Sequence, residues 1–271
     1  MSPFTPIKKL NVYRRMLDGN RVMVGQLAQN KHGVYFQYAP DYLQKHQSLS
    51  PFGLPFSAAL SKAPAQPHQG LHGVFADSLP DGWGLLLMDR IFRQQGIAPQ
   101  QVTAMDRLAY IGESGIGALS YEPVSEWKTK DETQWIRLNG LAKQAEQVFD
   151  GERETVLAAL ANAGGSGGAR PKALIYLDPQ QDERLSTRAE KNLQPWLIKF
   201  TSKNLPLGHE EGVCEAAYLS MAKQAGIDTP QWQLSTPSST SNKQQNTQAK
   251  AWLAMKRFDN SAVDVESRMI M

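Results

Sequence analysis

The 271-residue chain holds one cysteine, Cys214, so it has no partner for an intrachain disulfide and no cysteine-rich zinc site. It lacks any run of about 18 apolar residues. Its opening, MSPFTPIKKLNVYRRM, has no apolar core of signal-peptide length ahead of its charges. The expectation is a cytoplasmic protein with no membrane partner. Charge of one sign is scarce as well: 29 Lys and Arg against 26 Asp and Glu leave a formal +3, too little to establish a nucleic-acid or anionic-membrane partner. The histidines at 32, 46, 68, 72 and 209 form no i,i+4 metal pair, and His68 and His72, beside Pro67 and Gly70, read as surface loop residues. What is present is ordinary globular composition, 41% hydrophobic and 20% charged, in a length that suits one large domain or two small ones.

Short β-prone runs separated by Asp18-Gly19-Asn20 and Lys31-His32-Gly33 predict a small antiparallel sheet over residues 10–38. Pro80-Asp81 opens a helix with an apolar face of Leu86, Leu87, Ile91 and Phe92, ended by Gly96. A short helix over 102–111 and a strand over 118–121 follow. Helical spacing recurs at 135–148 and 152–162, broken by Asp150-Gly151. Beyond a glycine-rich loop the pattern predicts strands at 172–177 and 196–201 joined by a turn-rich connection, a helix over 210–225 capped by Gly226, and strands at 231–234 and 251–258.

The most informative local signal is AGGSGGARPKALIYL. Four glycines (164, 165, 167 and 168) let backbone N–H groups approach phosphate oxygens, and Lys172 adds a cation. The same glycines also suit a plain helix-to-strand turn. They do not match G-x-x-x-x-G-K-[ST], since Ala173 follows Lys172. In WLIKF, Lys199 sits inside an apolar strand, where a lysine either snorkels at a sheet edge or is retained for an anionic partner. A glycine loop, a strand, a second strand carrying a lysine and a helix carrying Glu215 follow the order of a protein-kinase N-lobe, in which lysine grips the phosphates and a glutamate orients it. Cys214 reads as a small packed residue, and Arg90, Arg93, Lys8, Lys9, Arg14 and Arg15 as solvated charge or partner contacts.

The segments FADSLPDGWGLLLMDR, DRLAYIGESGIGALSYEP, GGARPKALIYL, WLIKF, EGVCEAAYLSMAKQAGI and AMKRFD resemble, in order and spacing, the HipA-type serine/threonine kinases of bacterial toxin–antitoxin modules. The resemblance covers roughly residues 10 to 260. It implies an α+β protein: an N-terminal β-rich and helical subdomain over 1–125, a kinase-like N-lobe of antiparallel sheet plus helix over 126–260, and a divergent tail over 261–271. By position it implies a nucleotide loop of Gly167, Gly168, Ala169, Arg170, Pro171 and Lys172, a phosphate lysine at Lys199, its orienting partner at Glu215, and a hinge at Lys256, Arg257 and Phe258. Gly165 takes the place of an autophosphorylated serine found in relatives, with Ser166 one residue later. The resemblance also implies ATP and Mg²⁺ as cofactors, a protein hydroxyl as substrate, and a DNA-binding antitoxin as partner, with DNA reached only through that complex.

Phosphoryl transfer needs carboxylates to position the acceptor and to hold Mg²⁺. After Phe258 the sequence offers only Asp259, Asp264 and Glu266, with no His-x-Asp anywhere. The expectation is a kinase lacking its C-lobe and inactive alone. The alternative is a non-catalytic module that binds the antitoxin or an intact kinase. A missing lobe also predicts exposed apolar surface around Trp252, Leu253 and Met255.

Overall fold

The computed structural model describes residues 4–128, 136–156, 158–163, 167–178, 181–187, 193–236 and 251–257. In chain order the elements are β1 (Lys9–Arg15), β2 (Arg21–Asn30), β3 (Gly33–Tyr38), α1 (Pro40–Lys45), β4 (Ser61–Lys62), α2 (Gly73–Ala76), α3 (Gly82–Gln94), α4 (Ala104–Ile111) and β5 (Leu119–Glu122). There follow β6 (Ile136–Arg137), α5 (Leu138–Phe149), α6 (Ala158–Ala163), β7 (Lys172–Asp178), β8 (Gln181–Ser186), β9 (Gln194–Lys199), α7 (Glu211–Gln224), β10 (Trp232–Ser235) and β11 (Trp252–Lys256). This is the expected α+β composition. The described residues fall into two compact units, one from 4–80 and 92–128, the other from 81–91 and the residues between 136 and 257.

The first unit holds a five-stranded antiparallel sheet in the order β4-β3-β2-β1-β5. Leu10 and Val12 of β1 and Phe36 and Tyr38 of β3 alternate into the core, where Phe36 meets Phe75 at 4.7 Å and Tyr38 stacks on Tyr42 at 5.8 Å. Gly25 is needed on β2, because a Cβ there would lie 2.2 Å from the Gln37 carbonyl oxygen. Thr103 caps α4 by accepting from the Asp106 N–H. The Asp106 carboxylate accepts from the Thr103 N–H at 2.8 Å and from the Ile7 N–H at 2.7 Å, tying the start of the chain to this helix. His72 is a correction to the sequence reading: it is 2% exposed, with Nε2 3.1 Å from the Ser61 hydroxyl. The Gly70 turn (φ +78) precedes it, and the chain then enters α2 with Leu71, His72 and Phe75 all packed inward.

The second unit is built on a six-stranded antiparallel sheet, β10-β11-β9-β7-β8-β6. Ala173, Ile175 and Leu177 on β7 and Trp196 and Ile198 on β9 alternate into its buried face. Two expectations change here. The connection between β7 and β9 contains β8, a polar strand whose Leu185 is fully buried, so tertiary pairing overrides a composition that reads as turn. The helix expected over 152–162 is confined to Ala158–Ala163. Upstream, Gly151 (φ +74) breaks the chain, Glu152 pairs with Lys203 at 2.8 Å, and the Arg153 carbonyl accepts from Arg90 at 2.5 Å.

Of the apolar surface expected around Trp252, Leu253 and Met255, only Met255 is partly exposed. Trp252 and Leu253 are at most 5% exposed: α7 lies against the face of β11 that carries Leu253, in register with Lys199, while Trp252 is on the other face with Phe200 6.1 Å away. Gly212 permits that approach, since a Cβ there would sit 2.6 Å from the Ala251 carbonyl oxygen. The exposed apolar side chains of this unit include Val213, Tyr218 and Met221 on α7, Leu207 and Ile227 on either side of it, and Leu234 on β10.

Candidate functional site

Lys172 opens β7 and Lys199 closes β9, and the antiparallel register places them directly opposite each other. Since their neighbours Ala173 and Ile198 point into the core, both lysines share the other face of the sheet. Like charges paired across strands are destabilising, so the pair exists at a cost that something else must offset. Burial lowers the Lys172 pKa below the ordinary lysine value. The Lys199 charge adds to that lowering and Arg170 does so more weakly, while Asp81 and Glu215 oppose it.

Each cation is countered from within the chain. Lys199 Nζ donates to Glu215 Oε2 at 2.5 Å, with both side chains about a third exposed. Arg170 pairs with Glu211 at 3.1 Å. Glu211 and Glu215 are four residues apart on α7 and therefore lie on one side of it, each meeting one of these cations. Glu211 is buried in the first helical turn, where the helix dipole favours a carboxylate, and its Oε1 has no hydrogen-bond partner. Lys172 Nζ donates to the Gly167 carbonyl at 2.6 Å.

The loop residues Gly167, Gly168, Ala169 and Arg170 are exposed, while Pro171 and Lys172 are buried. Gly168 takes a left-handed φ of +95°, and a Cβ there would lie 2.6 Å from Lys172 Nζ. The turn before α3 holds this loop: Asp81 Oδ1 accepts from the Gly168 N–H at 2.6 Å, the Trp83 N–H donates to the Gly168 carbonyl at 3.0 Å, and the buried Trp83 Nε1–H donates to the Lys172 carbonyl at 2.8 Å. Chemically, an exposed glycine turn beside two lysines and an arginine suits an anion with several oxygens, such as a phosphate chain.

The structure thus brings together Gly167, Gly168, Arg170, Lys172, Lys199 and Glu215. Lys256 and Arg257 lie at the other end of β9: Lys256 pairs with Trp196, its N–H donates to the Gln231 carbonyl at 2.8 Å, and the Arg257 N–H donates to the Pro195 carbonyl at 3.0 Å. Ser166, Phe258 and the tail over 261–271 lie outside the described residues. Cys214 is half-buried next to Glu215. Sequence reasoning passed over Asp81, Trp83 and Glu211. Pro80-Asp81 was legible only as a helix start, and nothing local ties Asp81 to a loop 87 residues away.

Two family models match the chain, one described as the HipA N-terminal domain over residues 17–122 and one as the HipA-like C-terminal domain over residues 164–271. No curated protein and no solved structure matches it.

Proposed function

The chain is a HipA-type protein, and from that premise we propose that its second unit is the phosphate-gripping part of an ATP-dependent serine/threonine protein kinase of toxin–antitoxin type. The observation that carries this reading is the in-register Lys172–Lys199 pair: two lysines are held face to face on a sheet, at an electrostatic cost that a bound polyanion repays. Lys199 contacts the phosphates and Glu215 holds it in place, the arrangement kinases use to orient a triphosphate. Arg170 and the free amides of the glycine loop supply further donors. Lys256, Arg257 and Phe258 take the hinge role by their place in the family's order, and Ser166, one residue after Gly165 in the sequence, is the candidate for autophosphorylation.

ATP fits these residues: the donors are cationic or backbone N–H groups, and Arg170 stands on an exposed loop. Mg²⁺ does not. Among the described residues no group of three or more His, Cys, Asp or Glu side chains is placed to share a metal ion. The sequence contains no His-x-Asp to position an acceptor hydroxyl. The expectation on this reading is weak nucleotide binding without phosphoryl transfer when this polypeptide is assayed alone. The companion reading, a module that associates with a DNA-binding antitoxin or an intact kinase, rests on the lack of a His-x-Asp in the sequence and on the match to the HipA N-terminal domain.

The test is titration of the purified polypeptide with ATP, beside a γ-phosphate transfer assay. Weak binding that vanishes in Lys199→Ala, with no transfer, is expected. Binding insensitive to both Lys199→Ala and Lys172→Ala would overturn the site, and phosphate transfer at ordinary kinase rates would overturn the assignment of the chain as inactive alone.

A further inference from the structure

We infer that Asp81 is a positioning residue for the glycine loop, holding it through the Gly168 amide in the shape that receives an anion. Asp81 Oδ1 stands 2.6 Å from the Gly168 nitrogen, a short, charge-assisted contact to a neutral donor. The Gly168 carbonyl is held at the same time by the Trp83 N–H at 3.0 Å, so both polar groups of this residue are fastened to one turn. Trp83 adds a third point by donating its ring N–H to the Lys172 carbonyl, where the loop becomes β7. Gly82 completes the fit. Its φ is +39°, and a Cβ on it would lie 2.8 Å from the Ala169 Cα and from the Gly168 carbonyl carbon, so the turn and the loop touch backbone to backbone.

A loop of glycines left to itself samples many conformations, and ordering it on binding costs affinity. Fastening Gly168 from both sides removes much of that cost before a ligand arrives. It also spends the Gly168 N–H, which leaves the Ala169 and Arg170 amides, Lys172 and Lys199 to meet an anion. The charge on Asp81 is a secondary effect. It opposes the lowering of the Lys172 pKa and so helps keep that lysine protonated, but it also repels a phosphate. The hydrogen bond, not the charge, does the positioning. Asparagine keeps an acceptor oxygen at the same place, whereas alanine removes it.

The first experiment uses no nucleotide: backbone amide exchange followed by mass spectrometry on the full chain, reading the peptide that covers 167–170 against peptides from β7 and β9. Losing a hydrogen bond to a charged group predicts that Asp81→Ala speeds exchange in the loop by about tenfold or more while the two strands stay protected. Asp81→Asn should remain close to the native rate. Loop exchange in Asp81→Ala equal to the native chain overturns the inference, and so does Asp81→Asn behaving like Asp81→Ala. If Asp81→Ala loosens β7 and β9 equally, the residue is a general fold contact and the inference again fails.

The second experiment rests on the nucleotide reading above. Titration with ATP should show weaker binding in Asp81→Ala and equal or tighter binding in Asp81→Asn. Tighter binding in Asp81→Ala would make Asp81 a competitor for the amide and overturn the inference. If no form of the protein binds ATP while the exchange result holds, the positioning role of Asp81 stands and the nucleotide reading is what falls.

Discussion

Lys199 and Glu215, 16 residues apart in the chain, close to 2.5 Å between the end of β9 and the second turn of α7. The pair is about a third exposed on each side, so its own contribution to stability is small, within about 1 kcal/mol. Its partner across the sheet, Lys172, is unfavourable to Lys199. Replacing both members, Lys199→Met with Glu215→Gln, should therefore leave the melting temperature unchanged or raised while abolishing anion binding. Thermal unfolding beside ATP titration measures both, and a marked loss of stability would show that the pair is structural.

Two glycines with positive φ separate strain from crowding. Gly226 (φ +80) has nothing within 4 Å of a built Cβ, so Gly226→Ala should cost only the left-handed backbone, about 1 kcal/mol. Gly82 (φ +39) has backbone atoms of Gly168 and Ala169 at 2.8 Å. Gly82→Ala should cost several times more and release the loop, and urea unfolding of the two variants compares them directly.

Leu253 is fully buried on β11 and Tyr218 is 73% exposed on α7. Leu253→Ala should lose about 2–5 kcal/mol, and Tyr218→Ala should change stability by less than about 0.5 kcal/mol. Equal effects would mean that β11 is not covered as described.

His72 gives the first unit a pH dependence. Burial lowers its pKa below the ordinary histidine value, and its Nδ1 has no hydrogen-bond partner, so the folded state disfavours the proton. The unfolded chain binds that proton more readily. The contribution of neutral His72 is therefore fully present above pH about 6.5 and is lost as pH falls from there through the lowered folded value. Denaturant midpoints between pH 7.5 and 5 should fall in the native chain and flatten in His72→Gln; parallel slopes would assign the effect to other groups.

Much of the fold was legible in residue order because it rests on short-range periodicity. Leu10 and Val12 mark one face of β1, Ile175 and Leu177 one face of β7, and Gly96 and Gly226 stop two helices where their sequences say they should. The failures share a cause. Burial of Leu253 depends on α7 packing against β11, burial of His72 on the packing around α2, and the pairing of the polar strand β8 on β7 beside it. None of these is written within the segment concerned.

Sequence alone determined which side chains this protein brings to its candidate site, since the glycine loop, Lys172, Lys199 and Glu215 stand in an order that local pattern and family resemblance both expose. Tertiary structure alone decided how they meet. Register put the two lysines opposite each other, the i,i+4 spacing of α7 set Glu211 against Arg170 as it set Glu215 against Lys199, and a turn 87 residues upstream supplied Asp81 to hold the loop. The physical reason is range: a strand or helix reports its own faces through its period, but the partner of each face is chosen by packing between distant segments.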